Sequence, residues 1–203
     1  FGRAFFPAAD ITFGRIATIA CIPGSWVIMA VSVLLISGEF TRREAAITFT
    51  LDPRRGRVLA AKTVVAAGLA LATACWALIV AGGAYLLAPA LTGVTLSPDL
   101  EVSRITAVFG GLVFTALAGV SLGLLTRNAV APIVVMLAWP TVSMLVARSS
   151  EVAQKIIPWI DLEPVAALLN PSVQAWAQLG TSALVWIVLP GAIGAWRLFR
   201  GDL

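Results

Sequence analysis

Histidine is absent from all 203 residues. That absence removes the Ser–His and Cys–His pairs of nucleophilic catalysis, and the commonest ligand for a transition metal. Charge is scarce too: Asp, Glu, Lys and Arg make up 12% of the chain, about half the roughly 25% of a water-soluble domain. With 60% hydrophobic residues and a mean hydropathy of +0.97, the solvent for most of this chain is lipid. Cysteine occurs twice, at Cys21 and Cys75, each inside an apolar run. Two small core residues fit that placement better than a disulfide or a metal pair. No G-x-x-x-x-G-K-[ST] loop occurs, so the chain lacks that means of holding nucleotide. There is no basic start followed by an apolar core, hence no readable signal peptide. Phe1 rather than Met opens the chain, and the expectation is that residues precede it.

What is present is a set of long apolar runs. A bilayer core about 30 Å thick needs roughly 20 apolar residues in a helix. Five stretches qualify, at about 16–38, 63–88, 105–126, 129–147 and 174–197. Between them lie a basic segment (39–62), a Pro-, Gly- and Ser-bearing connection (89–104), a two-residue turn at Arg127-Asn128 and a mixed segment with three prolines (148–173). The expected fold is an all-α integral membrane protein, a polytopic helical bundle forming a single transmembrane domain over residues 1–203.

Alternation of sides gives an orientation. One side collects Arg42, Arg43, Arg54, Arg55, Arg57, Lys62, Arg127, Arg197 and Arg200, nine of the fourteen basic residues. The other holds Arg3, Arg15, Arg104, Arg148 and Lys155, with the carboxylates Asp10, Asp99, Glu101, Glu151, Asp161 and Glu163. The positive-inside rule makes the first side cytoplasmic, and with it the C-terminus. The net charge of +4 is then topological, and no nucleic-acid partner is expected. Five spans put the two ends on opposite sides, so a sixth span before Phe1 is expected.

The span interiors carry no Asp, Glu, Lys or Arg, which argues against a proton relay or a charge-ringed channel. Ser32, Ser37, Ser121, Ser143 and Ser182 lie in apolar segments without a His or Lys base, and read as hydroxyls bonded to their own helices. Gly119 and Gly123 form a small-xxx-small step, suited either to packing within the chain or to a subunit contact. Pro132, Pro140 and Pro190 fall within spans and should bend or loosen them. Trp139, Trp159, Trp176, Trp186 and Trp196 mostly fit interfacial anchoring. The segment 148–173 is too short and charged to cross, yet its apolar residues need burial. Two short helices broken at Pro158 and Pro164, dipping in from outside with Trp159 between them, meet both demands. That makes an outer gate, or only a cap.

The basic stretch "GEFTRREAAITFTLDPRRGRVLAAK", residues 38–62, reads as a shaped element. Thr41 and Glu44 fit a capping box opening a short helix of about 42–50, with Arg43, Ile47 and Leu51 near one face. Asp52-Pro53 ends it and starts a second helix, whose root carries Arg54, Arg55 and Arg57. Attachment to anionic lipid is the plainer role for such a patch. Glu39, where the first span leaves the membrane, is the one charge expected to carry function; a surface ion pair with Arg42 or Arg43 is the alternative.

These residues resemble the permeases of type-2 ABC transporters (ABC-2). Such permeases carry a Gly-Glu pair closing one span, a Thr-rich short helix, a Pro-Arg element and a Lys opening the next span. Gly38-Glu39, Thr48/Thr50-Leu51, Pro53-Arg54-Arg55 and Lys62 match in turn. The resemblance implies an exporter half that moves an amphipathic or hydrophobic solute (drug, antibiotic or lipid) across a bacterial cytoplasmic membrane. It implies that 39–62 is a coupling element seated on a separate P-loop ATPase, with two ATPase subunits and a second permease half, identical or paralogous. ATP and Mg would be bound by the ATPase; this chain would bind no cofactor and perform no chemistry. A non-transporting scaffold or sensor, and a carrier driven by an ion gradient, are the other classes.

Overall fold

The computed structural model describes residues 12–41, 55–92, 102–162, 168–170 and 172–200. Each long apolar stretch is a helix: α1 (Phe13–Thr41), α2 (Arg55–Thr92), α3 (Val102–Thr126) and α4 (Val130–Ser149). A short α5 (Glu151–Ile156) and one 3-10 turn (Ile157–Trp159) follow. The last rod begins as α6 (Val173–Ala183), passes through a π-helical turn (Leu184–Val188) and ends as α7 (Leu189–Phe199). Among the described residues there is no β-strand, and five helices are long and apolar enough to cross a membrane. The chain is an all-α protein built as a multi-pass membrane bundle. α2, at 38 residues, rises about 57 Å at 1.5 Å per residue, far more than a bilayer core of about 30 Å requires.

The third helix is the hub. Its span is 67% buried, against 17% for α4, because α1, α2, α4 and the last rod all pack on it. One face, Val108, Leu112, Ala116, Val120 and Leu124, meets an alanine stripe on α2 formed by Ala66, Ala70 and Ala74. These alanines recur every four residues and so lie on one side of α2. They stand no taller than a methyl group, which lets the two rods close up. A second face, Phe114, Ala118 and Leu122, packs with Met29, Val33, Met136, Leu162 and Trp186. Large apolar side chains elsewhere point outward, among them Trp26, Val64, Trp76, Ile79 and Leu86. In water such a surface would aggregate; in a bilayer it is the solvent-matched face.

Glycines set the closest approaches. A Cβ on Gly119 would lie 3.3 Å from the Met29 carbonyl oxygen, and one on Gly123 would lie 3.1 Å from that of Val33. The small-residue step therefore seams α3 to α1 within the chain. Matching Gly119 to Met29 and Gly123 to Val33 also shows that α1 and α3 run parallel. Gly194 is tighter still, its virtual Cβ 2.7 Å from Leu124 Cγ and 2.9 Å from the Leu124 carbonyl carbon.

Helix ends follow local chemistry. Arg127, at φ 52°, takes the left-handed conformation that usually stops a helix at glycine. Thr126 Oγ1 donates to the Asn128 carbonyl at 2.9 Å, and Asn128 Oδ1 accepts from the Val130 amide at 2.9 Å. The expected tight turn forms there, one residue longer than expected because Ala129 belongs to it. Ser150 and Ser172 cap α5 and α6 by accepting from Ala153 and Ala175 amides. Within the spans, Ser37 and Ser143 bond their own helix, at Val33 and Pro140 carbonyls. Two serines depart from that expectation: Ser182 points to the Trp159 carbonyl at 3.4 Å, and the buried Ser32 Oγ has no hydrogen-bond partner among the described residues.

Candidate functional site

At one end of the bundle the roots of the basic stretch come together. α1 continues through Thr41, past the expected end at Gly38, and α2 opens at Arg55. Lys62 Nζ reaches across from α2 and donates to the Leu35 carbonyl of α1 at 2.9 Å. Leu35 lies six residues before the end of α1, and its carbonyl oxygen, with two lone pairs, can accept from Lys62 beside its intrahelical bond. Gly56, in the first turn of α2, sits where a Cβ would be 3.7 Å from the Phe199 ring at the end of α7. Arg197 Nη1 lies 3.5 Å from the Leu125 carbonyl, in the last turn of α3, and the Arg200 guanidinium stacks 4.3 Å over Trp196. Arg57, Lys62, Arg127, Arg197 and Arg200 thus share one end of the bundle. The connecting residues Arg42, Arg43, Glu44, Ile47, Leu51, Pro53 and Arg54 lie outside the described residues, as do the side chains of Glu39, Thr41 and Arg55.

The opposite end holds the mixed segment. α5 and the 3-10 turn lead back along α4, placing Asp161 where Oδ1 accepts from Trp139 Nε1 at 3.3 Å. Trp139 is ten residues before the end of α4 at Ser149, or about 15 Å along its axis. Six α-helical and three 3-10 residues cover the same distance, at about 1.5 and 2.0 Å each. Backbone that leaves a helix at such depth needs donors from neighbouring elements. The last rod supplies them: Thr181 Oγ1 donates to the Trp159 carbonyl at 2.8 Å, and Trp186 Nε1 to that of Ile160 at 2.8 Å. The Trp139 and Trp186 rings meet edge to face, 4.9 Å between centroids, and Leu162 is buried beside them. Pro158 and Trp159 form the 3-10 turn and are exposed; Pro164 lies outside the described residues.

The π turn explains how Trp186 reaches inward. Pro190 has no amide to offer the Trp186 carbonyl, and its ring crowds that position. The rod widens ahead of it, with the Leu189 amide bonding the Leu184 carbonyl five residues back. One inserted residue rotates the preceding side chains relative to a plain α-helix, and such turns concentrate at functional places. The expectation of Trp139 and Trp186 as interfacial anchors is therefore corrected: both belong to an internal clamp, and Trp186 is 8% exposed. No signal in the sequence separated these two from the outward-facing Trp26 and Trp76, since all four sit in equally apolar runs.

No family model, characterised protein or solved structure matches this chain.

Proposed function

We propose that the chain is the membrane-spanning half of an ABC-2-type exporter, moving an amphipathic or hydrophobic solute with energy supplied by a partner P-loop ATPase. The observation that carries this reading is the basic stretch 38–62 hung between two helix roots that Lys62 ties together. A connection meant to transmit force needs its two ends held at a set separation; a lipid tether needs only its charge. On this reading the basic end faces the cytoplasm, two such halves assemble with two ATPase subunits, and ATP and Mg belong to the ATPase. The inward clamp on 157–162 is the outer closure of the path.

Shape and charge separate coupling from tethering. Thr41→Ala with Glu44→Ala keeps every basic residue and removes the capping box that the sequence predicts, each interaction of which is worth on the order of 1 kcal/mol; Ile47→Asp spoils the predicted apolar face. Coupling requires that these variants lose ATPase association or substrate-stimulated hydrolysis while still inserting in the membrane. Wild-type behaviour of the shape variants, with defects only on charge removal, refutes it. One observation favours an ion-driven carrier instead: Asp161 lies deep along α4 rather than in an outer loop, and ionisable groups at such depth commonly mark ion paths. Transport by the chain reconstituted without any ATPase decides for that alternative.

A further inference from the structure

We infer that the chain binds a neutral, largely apolar molecule carrying a hydrogen-bond donor, in two small chambers that meet beside Ser25 and Thr115. One chamber, about 110 Å³, lies between α1 and α3 and is lined by Thr18, Cys21, Ile22 and Gly111 among others. The second, about 190 Å³, lies between α1, α3 and α4 beneath Leu162; Met29 and Met136 wall it, and the outward-facing Trp26 and Pro140 stand at its open side. Ser25 and Thr115 line both.

The gap has a local cause. From Met29 onward α1 is drawn against α3 by Gly119 and Gly123. Six residues earlier comes Pro23, whose missing amide and crowding ring interrupt the helix ladder. At the next residue the chain leans on α2 instead: a Cβ on Gly24 would lie 2.7 Å from Thr73 Cγ2. α1 is thus pinned to different neighbours above and below, and space opens beside the break.

The lining chooses the ligand. Among the described residues neither chamber is lined by a carboxylate, ammonium or guanidinium, so an ion entering would lose its hydration without compensation. Thr18, Ser25 and Thr115 each give their single hydroxyl proton to their own helix, at the Gly14, Ile22 and Gly111 carbonyls, 2.8–2.9 Å away. What remains on these three oxygens is acceptor capacity; the other lining hydroxyl, Thr141, stands on the exposed side of the second chamber, away from the junction. A ligand that pairs there brings an O–H or N–H. Size follows from comparison: an apolar cavity of about 150 Å³ holds one benzene, so a molecule filling both chambers has about two rings. Two methionines and a tryptophan make the wall adaptable to shape. The inference does not rest on the export reading, because binding is measured directly.

The two cysteines supply the test. Cys21 lines the first chamber, while Cys75 is exposed on α2 and reports only what a probe does to the bilayer. Rates of N-ethylmaleimide modification are measured at both sites by mass spectrometry, on the full chain in lipid nanodiscs. 1-Naphthol should slow Cys21 severalfold and leave Cys75 unchanged. 1-Methoxynaphthalene, which lacks the donor, should protect weakly, and anionic 1-naphthoate not at all. Ser25→Ala with Thr115→Val should reduce naphthol to the level of its methyl ether. Equal slowing at both cysteines, equal protection by naphthol and its ether, or full protection in the double variant overturns the inference. If Cys21 proves unreactive, photo-crosslinking with 4-hydroxybenzophenone at pH 6 decides. Adducts on Met29, Met136 or Trp26 support the site; adducts confined to Val64 and Trp76 refute it.

Discussion

Trp186→Phe tests whether the outer segment is held by the clamp or merely rests against the bundle. The substitution keeps an aromatic ring at a position only 8% exposed, but removes the N–H that reaches the Ile160 carbonyl at 2.8 Å. Leaving that carbonyl unsatisfied in an apolar setting costs about 1–3 kcal/mol. The edge-to-face contact with Trp139, at 4.9 Å, is weakened by the smaller ring, and such pairs are worth about 0.5–1.5 kcal/mol. Together the clamp loses about 2–4 kcal/mol, which at 1.4 kcal/mol per decade multiplies the open population by roughly 30 to 700. Hydrogen–deuterium exchange reads this directly. Amides of 160–162 should exchange faster by one to three decades, while those of 119–123 in the α3 seam serve as an unchanged reference. Thr181→Val makes a graded comparison. The Trp159 carbonyl loses the Thr181 hydroxyl but keeps the longer contact from Ser182 Oγ at 3.4 Å, so the effect should be smaller. Exchange at 160–162 that stays as in wild type would show that packing of Leu162 alone holds the segment, and the clamp argument would fail.

The glycines should divide sharply. Gly194→Ala collides with Leu124 side chain and backbone and should destabilise the fold by about 1–3 kcal/mol in thermal unfolding, whereas Gly68→Ala and Gly82→Ala meet open space and should be neutral or slightly stabilising. Lys62→Met removes the bond to the Leu35 carbonyl, a charged hydrogen bond of about 1.5–3 kcal/mol. On the coupling reading its hydrolysis should no longer respond to substrate, with Lys62→Arg partly rescuing; an unaltered response would remove the tie from the mechanism. Asp161→Asn retains an oxygen to accept from Trp139. ATP-driven export should survive it, and loss of transport with normal folding would point to ion coupling.

Much of this molecule was legible from hydropathy. Five apolar runs became five helices because a chain with so little charge has only internal hydrogen bonding for its backbone in lipid, and helices supply it within one segment. The Arg127-Asn128 turn was equally legible, since it depends on a side chain next to the backbone it serves. The basic stretch stood out by composition, and Lys62 by its place at the start of a span.

What the linear order left open were contacts between residues far apart. Which helix lies at the centre depends on small faces matching across the bundle, alanine on α2 and glycine on α3 and α7, and those faces acquire meaning only opposite a partner. The same holds for Trp139 and Trp186. Both looked like bilayer anchors, yet the turn ahead of Pro190 and the carbonyl of Ile160, 26 residues away, direct Trp186 inward. Asp161 read as an outer loop charge because hydropathy counts residues and not depth. Its position beside Trp139 is decided by two short helical turns leading back along α4, a path of about 15 Å that appears only once the chain is folded. Composition determined the solvent and the secondary structure, since each residue meets these alone or with near neighbours. The centre, the clamp and the chambers beside Pro23 came from shape complementarity between helices.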